Sequence, residues 1–349
     1  MTRDLSKVLV TLGDEVKPIS YQLLRNLSEL NPPELAQFRV AWERYSAARR
    51  LALMQALVTM AEEHARFNYN AIFAWALDDA DARVRVLAME GLWEDKNLAH
   101  LPRFLHFLVH DEDVDVRAAA AIAVGRYLYW AETNEIPGRY ATETADALWE
   151  VYHDPLEHVH VRRRALEGLG SSSHPGVPRL IESAQYDEDL FMRSSALYAM
   201  GRSADVRWIP YLLPHLESEA PALRMEAARA LGELEAKAAV NPMIRMLDEE
   251  ADMEVRIAIL EALGQIGGDK ARQALELAAE SESEAEAEAA ELALEQLYAG
   301  INNIYELIDD VLGVSEEESF DEDDLWGDDF YEDPLEVEIR RLLDDEGAY

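Results

Sequence analysis

The chain has 349 residues, 49% of them hydrophobic, no cysteine, and 70 acidic against 32 basic residues, a net charge of −38. These figures exclude disulfides, thiol catalysis and cysteine-ligated zinc, and they speak against binding a nucleic acid backbone or an anionic membrane surface, both of which need lysine and arginine. No apolar run approaches the roughly 20 residues that span a bilayer and the opening MTRDLSKVLVTLGDEVKP carries no signal-peptide pattern, so the chain reads as soluble and cytoplasmic, with a basic protein surface as its electrostatic complement.

Residues 1–45 read as N-terminal capping helices, with NPPEL at 31–35 a helix-start signal. Residues 46–60, SAARRLALMQALVTM, form a degenerate first repeat with Arg49 or Arg50 in its arginine slot. A regular sentence then recurs around Arg85, Arg117, Arg162, Arg193, Arg224 and Arg256, at steps of 32, 45, 31, 31 and 32 residues. A period in the thirties combined with helical spacing points to stacked helix pairs. Three positions after each arginine stands Ala88, Ala120, Ala165, Ala196 or Ala227, with Ile259 the exception, so small residues let neighbouring helices approach. Endings such as Gly168-Leu169-Gly170, Ala199-Met200-Gly201, Ala230-Leu231-Gly232 and Ala262-Leu263-Gly264 place a glycine where a left-handed residue can stop a helix. Acidic turns precede the arginines (DDADAR, DEDVDVR, DEEADMEVR) and suit the N-terminus of each second helix.

An aspartate turn of the form D-x-x-x-V-R followed by x-x-A-x-x-A-L-G resembles the HEAT-repeat family, in particular the short HEAT-like repeats of the phycobilisome lyases. The resemblance covers about residues 46–298. It implies an all-α fold: a right-handed α-solenoid of stacked antiparallel helix pairs, about seven or eight of them over 46–299. It also implies that turn aspartates and helix arginines bond within and between repeats, pairing Asp81 with Arg85, Asp113 or Asp115 with Arg117, Asp189 with Arg193 and Asp252 with Arg256. Before Arg224 the acids are Glu217 and Glu219, a departure from that pattern. The six arginines are thus expected to form a structural ladder.

The 45-residue step holds an insertion near 126–150, rich in aromatics from Tyr127 to Tyr152. It reads either as a binding feature or as an elongated helix pair whose rings fill the wider space. The resemblance places the second helix of each pair on the concave side. Positions one and five after each arginine share a face; the candidate groove is therefore Val86, Glu90, Ile122, Arg163, Glu167, Tyr198, Met225, Arg229, Ile257 and Glu261. That mixture of apolar, aromatic and charged groups suits a protein or peptide ligand. In the last repeat, ARQALELAAESESEAEAEAAELALEQLYAG, glutamate replaces the arginine on a polar outer face. Residues 300–349 carry 19 acids against two arginines and read as a largely disordered acidic tail with short helices. Within it Phe320, Leu325, Trp326, Phe330 and Tyr331 are candidates for docking onto a basic partner; a purely solubilising tail is the alternative.

No catalytic, cofactor or metal site stands out. His106 and His110 lie one helical turn apart, and His158 and His160 flank a turn, but neither set has the H-E-x-x-H arrangement of hydrolytic zinc sites. Deoxyhypusine hydroxylases of the same repeat class bind iron through His-Glu dipeptides, and this sequence has none. The function expected is a non-enzymatic interaction scaffold or adaptor without cofactor. Its groove would take a protein or peptide and its acidic tail a basic partner. The alternative is a HEAT-like lyase or enzyme subunit acting on a chromophore or protein substrate.

Overall fold

The computed structural model describes residues 4–312, with side chains to residue 299. The tail residues Phe320, Leu325, Trp326, Phe330 and Tyr331 lie outside the described residues. All regular structure among the described residues is helical. The first helices are α1 (Leu5–Leu12), α2 (Tyr21–Leu24), α3 (Pro32–Trp42), α4 (Ala47–Glu63), α5 (Asn70–Ala76) and α6 (Ala82–Gly91). Next come α7 (Leu101–His110), α8 (Val114–Glu132), α9 (Arg139–His153), α10 (Val159–Leu169), α11 (Val177–Ala184) and α12 (Leu190–Arg202). The series ends with α13 (Ile209–Leu212), α14 (Pro221–Glu233), α15 (Val240–Glu249), α16 (Met253–Ile266), α17 (Asp269–Ala279) and α18 (Glu284–Leu312). None is long and apolar enough to cross a membrane.

The described residues group into two compact units divided between Leu212 and Leu213, where the period alone reads as one run over 46–299. At the division the first helix of the repeat breaks into a 3-10 turn (Val206–Trp208), the four-residue α13 and another 3-10 turn (Leu213–Glu217). Pro210 and Pro214 each remove a backbone donor there, which a continuous helix cannot spare.

Within the first unit, α4, α6, α8, α10 and α12 pack side by side, and α5, α7, α9 and α11 pack against the second helix of their own pair. In the second unit α14, α16 and α18 form the equivalent row, with α15 and α17 behind. The alanines three positions after the arginines, from Ala88 to Ala227, are fully enclosed along these rows, as is Ile259. The NPPEL signal starts α3 as read: the Asn31 side chain accepts from the Glu34 amide, the Glu34 carboxylate accepts from the Asn31 amide, and both prolines sit in the first turn.

The repeat-ending glycines act differently from the helix stops read in the sequence. Gly170 is right-handed and Gly232 and Gly264 lie inside helices; among the described residues only Gly267 and Gly268 are glycines with positive φ. Their role is close approach. A Cβ on Gly170 would lie 2.9 Å from the Ala199 Cα, and one on Gly264 would lie 2.9 Å from the Ala293 carbonyl oxygen. The insertion elongates α8 to 19 residues and α9 to 15. Half of its six rings go inward: Tyr127, Trp130 and Tyr152 are buried, while Tyr129, Tyr140 and Trp149 are partly exposed. The Tyr127 hydroxyl donates to the carbonyls of Asp95 and Asn97, at 3.2 and 2.7 Å, so its polar tip is satisfied.

Candidate binding groove of the first unit

The ladder arginines come first, because they define which face of each second helix remains for a ligand. Arg85 lies across a turn rather than along it. Its Nε and Nη2 donate to both oxygens of Asp111, at 3.1 and 2.8 Å, in the acidic turn of the next pair. Its Nη1 donates to the carbonyls of Asp79 and Ala80 in its own turn. Arg117 repeats this with Glu157, both contacts at 2.9 Å, and with the carbonyls of Asp111 and Glu112. In the second unit Arg224 takes Glu250 and the carbonyls of Ser218 and Glu219, and Arg256 takes Glu286 and the carbonyls of Leu247 and Glu250. Arg50, not Arg49, occupies the first slot, 3.0 Å from Asp79. The buried Arg49 instead donates to the Leu12 carbonyl.

The pairs expected within one turn are therefore replaced by pairs between successive turns. Asp81, Asp113, Asp189 and Asp252, four residues before their arginines, accept from backbone amides at the starts of α6, α8, α12 and α16. Asp81 also binds the Arg83 side chain, and the exposed Asp115 lies 3.9 Å from His160. The capping carboxylates are taken by those backbone amides, and the guanidinium fork suits the two carboxylate oxygens of the following turn. Two slots differ. Arg162 donates to the Tyr152 carbonyl and lies over the Tyr152 ring at 5.4 Å. The Arg193 Nε is buried with no hydrogen-bond partner among the described residues.

With the ladder on the turn side, the open face of α8, α10 and α12 carries a cleft of about 100 Å³. Its floor is a helix crossing made possible by two glycines: a Cβ on Gly125 would lie 2.6 Å from the Gly168 Cα. Ile122, Glu167 and Tyr198 of the candidate groove line this cleft, joined by Arg126, Tyr129, Arg164 and Arg202. Arg126 donates to the Met89 carbonyl at 3.1 Å. Burial pulls its pKa down to about 10, against the pull of Tyr127 and Glu90, so the group stays charged at neutral pH. Arg202 lies over the Tyr129 ring at 4.8 Å. Arg164 bonds Glu167 at 2.6 Å, while its Nε is buried and unpartnered among the described residues. Glu167 also accepts from Ser195 at 2.6 Å and from Arg163 at 3.4 Å.

A trough of about 520 Å³ adjoins the cleft, sharing Ile122 and Arg164 with it. Val86 and Glu90 line its walls with Leu51, Asp113, Asp115 and His160. Burial, then repulsion from Glu62, raises the Glu90 carboxyl, and burial, then Arg163 and Arg164, lowers His160. The structure thus brings Val86, Glu90, Ile122, Glu167 and Tyr198 to one continuous surface. Arg163 stands beside it, over the Phe191 ring at 5.7 Å. In the second unit Met225 and Ile257 are half-buried and Arg229 and Glu261 exposed. A depression of about 590 Å³ between α1 and α3 is walled by Leu9, Val10 and Val40, with Ser6, Gln37 and Arg44 beside them. His106 and His110 have ring centroids 4.9 Å apart, but no group of three potential metal ligands occurs among the described residues.

The family model described as HEAT repeats matches residues 70–159 and 209–295, just over half of the chain. This chain belongs to the HEAT-repeat family. A HEAT repeat-containing taxis protein of Halobacterium salinarum is 33% identical over 127 residues, covering 30% of this chain and 31% of that protein. Human deoxyhypusine hydroxylase is 28% identical over 139 residues, covering 37% of this chain and 45% of the enzyme. The matched stretches thus span less than half the length of either curated relative. Among solved structures, the CpcE–CpcF complex of phycocyanin lyase from Nostoc aligns with a TM-score of 0.47 at 21% identity, over 65% of this HEAT-repeat chain and 86% of that one.

Proposed function

We propose that this HEAT-repeat chain is a non-enzymatic scaffold that holds a protein or peptide segment against the second-helix face of its first unit. The observation that supports this most is the continuous surface from Val86 through Ile122 to Tyr198. It mixes exposed apolar, aromatic and charged groups, and Ile122 and Tyr198 remain well exposed to solvent. The acid-rich residues 300–349 serve as a second contact, for a basic protein surface. The net charge of −38 favours protein over nucleic acid as the partner.

The full chain and its Ile122→Asp variant, used as baits in the native extract, test the reading. Ile122 is 39% exposed, so the variant keeps its fold, as helical dichroism will verify. The scaffold loses its groove partners in the variant. Identical captured proteins, or a bound chromophore or metal in the purified chain, would instead favour the enzyme-subunit reading.

A further inference from the structure

We propose that α1 and α3 form a face through which two copies of this chain pair about a two-fold axis. This face shares no lining residue with the Val86–Tyr198 surface, and its role does not depend on the groove reading above.

α1 and α3 pack against each other and leave between them the depression of about 590 Å³. Its walls are two stripes at helical spacing. Ser6, Val10 and Gly13 come from α1 and its C-cap, and Ala36, Val40 and Arg44 from α3 and the residues after it. Val10 is 77% exposed and Val40 54%. The end layer of a helical stack ordinarily turns polar side chains outward, as α18 does with the exposed Glu284, Glu288, Glu291 and Glu295. α1 and α3 turn small and apolar ones outward.

Charge identifies the occupant. Acids make up 70 of the 349 residues, yet none of the described residues lining the depression is acidic. Residues 1–45 carry six acids and six bases, so residues 46–349 hold the whole net charge of −38. Two copies repel one another over most of their surfaces and can meet at this neutral one. The charges around α1 are matched within the chain, Lys7 with Asp4 at 3.0 Å and Lys17 with Asp14 at 3.1 Å. α3 has Glu34 in its first turn and Arg44 just past its last. Two copies of α3 crossing antiparallel therefore bring unlike charges together at both ends and their Val40 side chains together near the middle. The patch also carries a ridge beside a hollow, the self-complementarity that a two-fold interface requires.

Size sets the strength. α1 and α3 have 8 and 11 residues, and are about 12 and 17 Å long. Paired faces of that extent bury about 1,000 Å² in total, the low end of specific interfaces, so the pairing is reversible and follows concentration.

Sedimentation equilibrium of the full chain from about 1 to about 200 µM tests this. The mass should rise from one chain towards two. Pairing should weaken at least tenfold in V10D/V40D and at least threefold in Q37E, which sets like charges on either side of the axis with little change of shape. It should be unchanged in Leu277→Asp, at a likewise exposed apolar residue of α17, and in Ile122→Asp. Urea midpoints of all these chains should agree. Because net charge opposes pairing, it should tighten as salt rises from about 0.01 to about 0.15 M, where screening shortens from about 30 to about 8 Å. A mass of one chain throughout, or pairing that V10D/V40D and Q37E leave intact, would overturn the assignment. So would pairing lost in Ile122→Asp. Mass growing beyond two chains, or pairing that loosens with added salt, would replace the two-fold contact by one between this face and the acidic residues 300–349 of another copy. Groove partners lost in Ile122→Asp and pairing lost in V10D/V40D are read separately, so either reading can fail alone.

Discussion

Two sets of arginines in the same repeats do opposite things. On the turn side Arg85, Arg117, Arg224 and Arg256 each have a carboxylate from the following turn and backbone carbonyls from their own. On the open face of α8, α10 and α12, Arg164 bonds Glu167 of its own helix, Arg126 donates to the Met89 carbonyl and Arg202 lies over the Tyr129 ring. The residue type is the same; the count of acceptors differs. A guanidinium whose donors are all used fixes the stacking of one helix pair on the next. One whose carboxylate lies in its own helix, as Glu167 does for Arg164, adds nothing to the stacking of one pair on the next.

Breaking a ladder rung should cost the most. Arg117→Ala leaves Glu157 partly buried without its partner and frees two turn carbonyls. A loss of about 2–4 kcal/mol is expected, read as a lower urea midpoint with an unchanged slope. Next comes acid. Hydrogen bonds from Arg224, followed by the backbone amide of Asp252, hold the Glu250 carboxyl below its ordinary value of 4.5. A lowered folded pKa gives stability that is complete above the unfolded value and disappears as pH falls through the folded one. The stability difference between the natural chain and Glu250→Gln should therefore stay constant from about pH 7 to about 5 and shrink below about pH 4.

Gly125→Ala tests the helix crossing. Its added methyl meets the Gly168 backbone, costing about 1–3 kcal/mol, partly offset by about 1 kcal/mol of better helix propensity. A melting point at or above that of the natural chain would show that the crossing is not tight. Arg164→Gln should have the smallest effect. It removes one half-exposed contact within α10, worth about 0.5 kcal/mol or less, and a larger loss would place it with the ladder.

Much of the fold was legible before any coordinates, for a physical reason. Stacked pairs repeat one local solution, so the arginine, the alanine three residues on and the acidic turn recur at a readable period. What could not be read depended on distance in space. Adjacency in sequence favoured Asp81 as the partner of Arg85, whereas the partner, Asp111, belongs to the next turn. The helix-ending glycines looked like stops because a sequence does not show the neighbouring helix that excludes their side chains. The division after Leu212 has its signal in Pro210 and Pro214 and in Ser218, which stands where other turns carry Asp79, Asp111, Asp187 and Glu250.

The groove was partly visible. Reading the face at one and five residues after each arginine finds Ile122, Glu167 and Tyr198. One further turn, nine residues after Arg117 and Arg193, finds Arg126 and Arg202, which complete the cleft. Arg164 escapes that rule, since it sits two residues after Arg162 and reaches the cleft from a different phase of α10.

The claim that the ladder arginines hold the stack while Arg164 on the open face does not is tested most directly by urea unfolding of Arg117→Ala and Arg164→Gln beside the natural chain. The account predicts a midpoint lowered by the equivalent of about 2–4 kcal/mol for Arg117→Ala and of about 0.5 kcal/mol or less for Arg164→Gln. Equal losses in the two, or a loss confined to Arg164→Gln, would contradict it.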